Sequence, residues 1–425
     1  MTRNGIVSGV AMALVVGTLY AVVHPAHAAY RLCALRDGPR GPCTCKSNSD
    51  GAGQFTVVPK SRCRPAAAGA SKDATGGVTE PAAGASGAGP AADASRSEAV
   101  TETGALPASG SKLDEIRQRG KLVCGVNTGL LGFSARTESG VWAGLDVDFC
   151  RALAAAALGS ADKAEFVPLE TNERFDALKD GKIDVLSRNT TWTMNREVDL
   201  GLRFAGVLYF DGQGFMTSDD RGFVSAQQLS GSKVCVEAGT TTEKHMAYFF
   251  KAHQIEAQAV VLPTREETLK AYAGGTCDTY SGDRSALFSD RASFPEPAKH
   301  AILPEVISKE PLGPVVLKGD DEWTEIVRWT LAGLINAEEV GLDKASAATA
   351  GTSLKDDAQR LVEGAGASGE KLRLSKSWLR DAVAAVGNYG EMFEANVGKG
   401  SALGMERGLN ALWKRGGILT APPMW

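Results

Sequence analysis

Between Pro65 and Gly110 the chain is almost entirely Ala, Gly, Ser, Thr, Pro and acidic residues, with hardly a large apolar side chain. Such a segment cannot bury enough surface to offset the entropy of ordering it, so residues 65–111 read as a flexible Ala/Gly/Ser/Pro linker. As a coil it has an end-to-end distance of roughly 35 to 40 Å. It cuts the 425-residue chain into a short N-terminal portion and a body that begins at residue 112 and is long enough for two domains.

The N-terminal portion opens with Arg3, continues as an apolar run from Ile6 to Val23 and reaches Ala26-His27-Ala28. This is the pattern of a secretory signal peptide over residues 1–28, with an uncleaved anchor helix as the alternative. Eight cysteines behind such a leader point to disulfides in an oxidising compartment. Cys33, Cys43, Cys45 and Cys63 define a small Cys-rich module at residues 29–64. Cys124, Cys150, Cys235 and Cys277 belong to the body. Four cysteines in the module allow three connectivities, and the spacing does not choose among them. No other stretch is long and apolar enough to cross a bilayer, so the mature chain is expected to be soluble and periplasmic. A formal net charge of -4 with 23% charged residues excludes the basic footprint that nucleic acid requires.

In the body, apolar runs of strand length alternate with helical spacing. Lys121–Val126, Glu165–Leu169 and Ile183–Leu186 read as strands, separated by helices at 146–158 and 173–179. A second block repeats the pattern: strands at 233–237, 259–262 and 277–280, with helices through Tyr248 and Phe249 and over 266–272. Alternation of this kind predicts parallel sheets covered by helices. Trp323, Ile326, Val327, Thr330, Leu331, Leu334 and Ile335 form one apolar helical face, which is core.

Ligands in such sheets bind beyond the carboxyl ends of the strands. Two loops there stand out. Ser187 to Arg196 combines hydroxyls, an amide and two arginines. The planar fork of Arg196 suits a carboxylate, although a solvated arginine beside a Thr-rich cap fits the spacing equally well. Ala238-Gly-Thr-Thr-Thr-Glu offers unpaired N–H groups at a helix start, and by spacing alone Thr240 with Glu243 reads as an N-cap. Asp283, beyond the strand ending at Tyr280, is a carboxylate placed to meet an ammonium group. No nucleophile elbow, Walker loop or zinc-spaced His pair occurs among five histidines, so no catalytic residue, metal or cofactor is expected.

Five long motifs occur in order: Gly144-Leu-Asp-Val-Asp-Phe-Cys-Arg, Asp184-Val-Leu-Ser-Arg-Asn-Thr-Thr-Trp-Thr, Ala238-Gly-Thr-Thr-Thr-Glu, Ile307-Ser-Lys-Glu-Pro-Leu-Gly-Pro and Gly408-Leu-Asn-Ala-Leu-Trp. With them the region from Leu113 to Trp425 resembles the family 3 extracellular solute-binding proteins of polar and general L-amino-acid ABC importers. The resemblance implies an α/β, two-lobed periplasmic-binding-protein fold of type II, each lobe a parallel-type sheet flanked by helices. Lobe 1 would comprise residues 112–213 and 311–425, lobe 2 residues 214–310, with a two-strand hinge between them. The partners implied are a free L-amino acid, broadly chosen and including acidic ones, and the importer's permease subunits. The protein would act as a monomer, not as an enzyme.

Carried over residue by residue, the resemblance assigns the ligand α-carboxylate to Arg196, with Thr191 and the backbone at Asn189 beside it. Gly239, Thr240 and Thr241 would close on it from lobe 2. Asp283 would take the α-ammonium and Arg174 a side-chain carboxylate, with Asn127 and Leu130 in the pocket wall. Cysteines on neighbouring elements of one lobe are expected to pair, Cys124 with Cys150 and Cys235 with Cys277, because a bridge between lobes would obstruct closure. Two rivals share this reading of the fold: a cyclohexadienyl-type dehydratase with Glu173 as its pocket acid, and a sensory amino-acid-binding module.

Overall fold

The computed structural model describes residues 43–44, 57–58, 110–349 and 354–424. The signal peptide, most of the Cys-rich module and the linker therefore lie outside the described residues. The chain divides into two compact units, Met1–Ala99 and Val100–Trp425. In the first, β1 (Cys43–Thr44) pairs antiparallel with β2 (Val57–Val58). The second unit carries everything that follows.

It begins with α1 (Lys112–Arg119), capped by the Ser111 side chain at one end and by left-handed Gly120 at the other. Then come β3 (Leu122–Asn127), β4 (Ala135–Arg136), β5 (Trp142–Ala143), α2 (Leu145–Leu158), β6 (Ala164–Leu169), α3 (Arg174–Lys179), β7 (Val185–Leu186), α4 (Met194–Val198) and β8 (Leu202–Phe204). β9 (Tyr209–Asp211) leads into β10 (Gln213–Ser218), β11 (Lys233–Glu237), α5 (Thr241–His253), β12 (Gln258–Leu262), α6 (Arg265–Ala273), β13 (Thr279–Asp283), α7 (Arg284–Ser293) and β14 (His300–Ile302). The chain returns through β15 (Glu310–Leu312) and β16 (Val315–Leu317) to α8 (Asp321–Val340), α9 (Lys344–Ala348), α10 (Asp356–Gly369), α11 (Trp378–Val386) and α12 (Tyr389–Asn396).

Two five-stranded sheets result, in the orders β6-β3-β7-β16-β8 and β12-β11-β13-β10-β14. They define lobes 1 and 2. In each, three strands run parallel with the earliest in the middle. The remaining two strands of each sheet join it through antiparallel pairings, β16 with β7 and β8 and β10 with β13 and β14, so each sheet is mixed rather than wholly parallel as expected. The parallel trios are the strands that the alternating pattern reveals. The antiparallel strands are recruited across long sequence separations, where local periodicity carries no information.

The lobes are joined by β9 and β15, an antiparallel pair in which Glu310 faces Asp211. Just past the return strand, the Gly313 N–H donates to the Thr190 carbonyl at 3.0 Å. A Cβ there would come within 1.9 Å of the Gly206 carbonyl oxygen, so only glycine lets the two crossings lie this close. After the hinge, α8 buries Trp323, Ile326, Val327, Leu331 and Leu334 against lobe 1, each such side chain contributing roughly 1.5 to 3 kcal/mol. The Trp323 indole donates to the Asp184 carbonyl at 2.9 Å, and α10 to α12 extend the same core. Among the described residues no helix is long and apolar enough to cross a membrane.

Cys124 is bonded to Cys150 within lobe 1, and Cys235 to Cys277 within lobe 2, with Cα separations of 6.3 and 5.7 Å. Each bridge ties a parallel strand to the same lobe's other elements, and neither crosses the hinge.

Candidate functional site

The carboxyl ends of the parallel strands face one another across the hinge and enclose a cavity. β3, β6 and β7 lead into its lobe 1 wall through Asn127 and Leu130, Thr171 and Arg174, and Arg188, Asn189 and Thr191. β11, β12 and β13 lead into its lobe 2 wall through Glu237 and Thr240 to Thr242, Arg265, and Tyr280 to Asp283. The two walls touch: Thr191 and Thr241 hydroxyls lie 3.3 Å apart, and Arg265 Nη1 donates to the Gly129 carbonyl at 3.2 Å. This is a closed arrangement of the lobes.

Nine of the ten residues expected in the ligand site line the cavity: Arg196, Asp283, Thr191, Asn189, Thr241, Thr240, Arg174, Asn127 and Leu130. Gly239 does not. It adopts a left-handed φ of 70° where β11 turns into α5, and its N–H is taken by Glu243 Oε2 at 2.9 Å. Its left-handed turn starts the helix.

Arg196 sits on the short helix α4, capped by Thr193, rather than on a loop. It is buried, lies over the Phe175 ring at 5.3 Å and donates through Nη1 to the Thr191 carbonyl at 2.5 Å. That bond leaves the other donors of the fork for a ligand carboxylate. Burial draws its pKa down, and the nearby carboxylates of Glu310 and Asp283 oppose that shift. The backbone N–H of Asn189, expected to meet the ligand, instead donates to Asp146 Oδ2 at 3.3 Å. Asp146 also accepts from the Ser187 hydroxyl at 2.7 Å, and so holds Asn189 in its left-handed conformation, φ 42°. The Asn189 side-chain amide is left without a partner at the cavity wall. Burial raises the Asp146 carboxyl to about 6 despite these bonds.

Asp283 ends β13 and precedes α7. Its Oδ1 is shut away from solvent without a hydrogen-bond partner. Burial, with Asp211 and Glu310 nearby, raises its pKa well above the usual carboxylate range, while Arg196 and Arg174 pull the other way. A carboxylate in that state gains most from a cation delivered beside it. Glu310 is buried on the hinge strand and gathers both walls: it accepts from Thr191 Oγ1 at 2.7 Å, from Thr241 Oγ1 at 3.0 Å and from Ser308, with His245 Nδ1 at 2.8 Å. Each threonine hydroxyl thus gives its proton to the hinge carboxylate while lining the cavity.

Arg174, over the same Phe175 ring as Arg196, is 4% exposed and 4.7 Å from the ring centre, with its Nε unpartnered. Burial, helped by Arg188 and Arg196, lowers its pKa well below the usual value, against Glu237 and Asp283. Arg188, Glu237, Arg265 and Tyr280 join it and were not expected in the site. Arg188 is braced by the Leu169 carbonyl at 2.8 Å and Thr171 at 3.0 Å, and Arg265 pairs with buried Asp290. The sequence signal for them was position alone: Arg188 and Arg265 follow the carboxyl ends of β7 and β12, Glu237 closes β11, and Tyr280 lies within β13. Glu173, the pocket acid of the dehydratase reading, is exposed, bonds to the Glu170 N–H at 3.3 Å and is absent from the cavity wall.

Residues 122–381 match the bacterial extracellular solute-binding proteins, family 3. The chain belongs to that family. This family 3 protein is 48% identical to the general L-amino acid-binding periplasmic protein AapJ of Rhizobium johnstonii, over 77% of this chain and 96% of the relative. It is 47% identical to the glutamate/glutamine/aspartate/asparagine-binding protein BztA of Rhodobacter capsulatus, over 74% and 94%. Among solved structures, a periplasmic binding protein of an ABC transporter from Brucella ovis, with glutathione bound, is 46% identical. It matches with a TM-score of 0.72 over 74% of this chain and 100% of that one. These relatives are binding proteins by name, not enzymes.

Proposed function

We propose that this family 3 protein captures free L-amino acids in the periplasm by closing its lobes and delivers them to the permease of an ABC importer. The observation that carries the reading is one pair of groups in the cavity. An arginine fork with spare donors, Arg196, and an unpaired buried carboxylate oxygen, Asp283 Oδ1, line one small space. These are the complements of an α-carboxylate and an α-ammonium. The names of its relatives support the same class of ligand and the same transport role.

Broad selectivity that includes acidic amino acids, action as a monomer and absence of catalysis belong to the proposal. Arg174 supports the first, because an unpartnered buried guanidinium is open to a side-chain carboxylate or amide. The exposure of Glu173 speaks against a dehydratase. Thermal-shift measurements on ligand-free protein with the twenty L-amino acids and glutathione test the reading. Native-state binding raises stability by about 2.7 kcal/mol at a hundredfold excess over Kd. Stabilisation by several amino acids is the expected result. Stabilisation by none overturns it, and turnover of prephenate or arogenate overturns the non-enzymatic part.

A further inference from the structure

The last of the sequence motifs, Gly408-Leu-Asn-Ala-Leu-Trp, does not line the ligand cavity, and its asparagine serves the hinge. Asn410 is 3% exposed in the short turn Gly408–Asn410. Its Oδ1 accepts from the Phe210 N–H at 2.7 Å and its Nδ2 donates to the Phe210 carbonyl at 3.0 Å. One side chain thus satisfies both backbone groups of the middle residue of β9, as a neighbouring strand would. We propose that Asn410 is a positioning residue for lobe closure: it makes the outgoing hinge strand part of lobe 1 as far as Phe210, and so confines bending to the rung formed by Asp211 and Glu310. The inference rests on the receptor reading above and adds to it the residue that fixes where the hinge bends.

The chain up to Phe210 is held from lobe 1. Tyr389 Oη donates to the Leu208 carbonyl at 2.8 Å, and the Tyr209 and Phe393 rings stack at 6.1 Å with 3° between their planes. Asn410 is itself braced: its carbonyl accepts from Arg407 Nε at 3.1 Å and from Nη2 at 2.9 Å, and Arg407 pairs with Glu338 of α8 at 2.9 Å. On the return crossing the Pro311 carbonyl accepts from the Trp192 N–H at 2.8 Å, so Pro311, which faces Phe210, is also tied to lobe 1. The next rung is tied the other way. Asp211 Oδ2 accepts from the Ser285 N–H at 3.2 Å, and the Gly212 carbonyl from the Arg284 N–H at 2.8 Å, both at the start of α7 in lobe 2. The change of lobe therefore falls on one line across the ladder, between the Phe210–Pro311 and Asp211–Glu310 rungs. Among the described residues no hydrogen bond runs from the turn at 404–410 to lobe 2, and a cavity of about 430 Å³ lies between that turn and Arg284, Phe288 and Val306. Lobe 2 has room to move without loosening the clamp.

Without the Asn410 amide, Phe210 joins the bend. The ligand-free protein then gains about one residue of backbone freedom that closure must remove, which weakens Kd about five- to thirtyfold. Because the clamp lies outside the ligand cavity, the factor is common to all ligands.

Calorimetric titration of the full mature protein with L-alanine and L-glutamate, and amide hydrogen exchange at Phe210 with and without L-glutamate, test this on wild type and Asn410→Ala. Val126, buried in β3, is the reference amide of lobe 1. In wild type the ligand should slow exchange at Phe210 no more than at Val126, because both belong to lobe 1 whether or not the cleft is closed. In Asn410→Ala both Kd values should rise by one factor, and the ligand should slow Phe210 more than it slows Val126. A wild type in which the ligand slows Phe210 far more than Val126 overturns the inference, whether or not the variant folds. So do unchanged Kd values in a folded variant, or Phe210 exchange raised equally with and without ligand, the mark of a merely structural brace. Failure of both amino acids to bind the wild type overturns the receptor reading and this inference together.

Discussion

Two pairs of opposite charge line the cavity, Arg196 with Asp283 and Arg174 with Glu237, and they are prepared differently. In the first pair Arg196 has one donor on the Thr191 carbonyl, whereas Asp283 Oδ1 has no partner. In the second pair Arg174 and Glu237 engage no described side chain as an ion pair. Partial engagement fixes a side chain in place before the ligand arrives, which suits a group common to every ligand. Open engagement leaves the outcome to whatever arrives, which suits the part of the ligand that varies.

The largest effects should come from the first pair. Arg196→Ala and Asp283→Ala each strand an opposite charge of the ligand, costing roughly 3 to 5 kcal/mol or about two to four powers of ten in Kd. Titration should show this loss for every amino acid, with circular dichroism unchanged. Arg196→Lys should recover part of the affinity, since a point charge cannot reproduce the fork. Near-wild-type affinity in either alanine variant would break the comparison at once.

A pH series sharpens it next. Asp146 and Asp211, raised by burial to about 6, bind protons in the folded state at a pH where the unfolded chain has released them. Their folded pKa lies above the unfolded value, so they disfavour the ligand-free fold at pH 7 by on the order of 3 kcal/mol each and cease to do so as pH falls toward 4. Asp283 acts in the same direction. Ligand-free protein should therefore melt higher near pH 5 than near pH 7.5, and Asp283→Asn should flatten the slope. Amino-acid affinity should move the opposite way, weakening as the pH drops, because the ammonium requires an ionised Asp283.

Smaller and more selective changes belong to the second pair. Arg174→Met should weaken glutamine and glutamate by about ten- to a hundredfold, the worth of a hydrogen bond to a charged group, and leave alanine unaffected. Its ligand-free melting temperature should not fall, since a buried cation without a partner has been removed. Titration with the three amino acids checks the first claim and a melt the second. The smallest effect is expected from Glu310→Gln, about fivefold in Kd and equal for all ligands. A factor that differed between alanine and glutamine would place Glu310 in selectivity rather than in closure.

Much of this was legible in the sequence because parallel βα units advertise themselves locally. The strand read at 233–237 is β11 residue for residue, and the helix read at 146–158 differs from α2 by one position. The strand read at 277–280 is displaced in the structure to Thr279–Asp283. Its last three residues, Ser281-Gly282-Asp283, face the cavity and carry no apolar signal. In the site, Arg196 and Asp283 were found by their chemistry and a family likeness. Glu237 and Arg265 were missed because the last residue of a strand and the first of a helix look like ordinary solvated ends. Only the closure of one sheet upon the other makes them neighbours. Gly239, a glycine whose freedom serves a turn, is placed outside the cavity lining.

Glu310 lies between the two designs. It touches Thr191 from one wall and Thr241 and His245 from the other while meeting no part of the ligand head directly assigned to it. Bonds of that kind add to the weight of the closed form whether or not the cavity is occupied. When only a fraction of molecules is competent, the observed dissociation constant equals the intrinsic one divided by that fraction. A single carboxylate on the hinge thus sets a common gain for the receptor, scaling its response to every amino acid by one number.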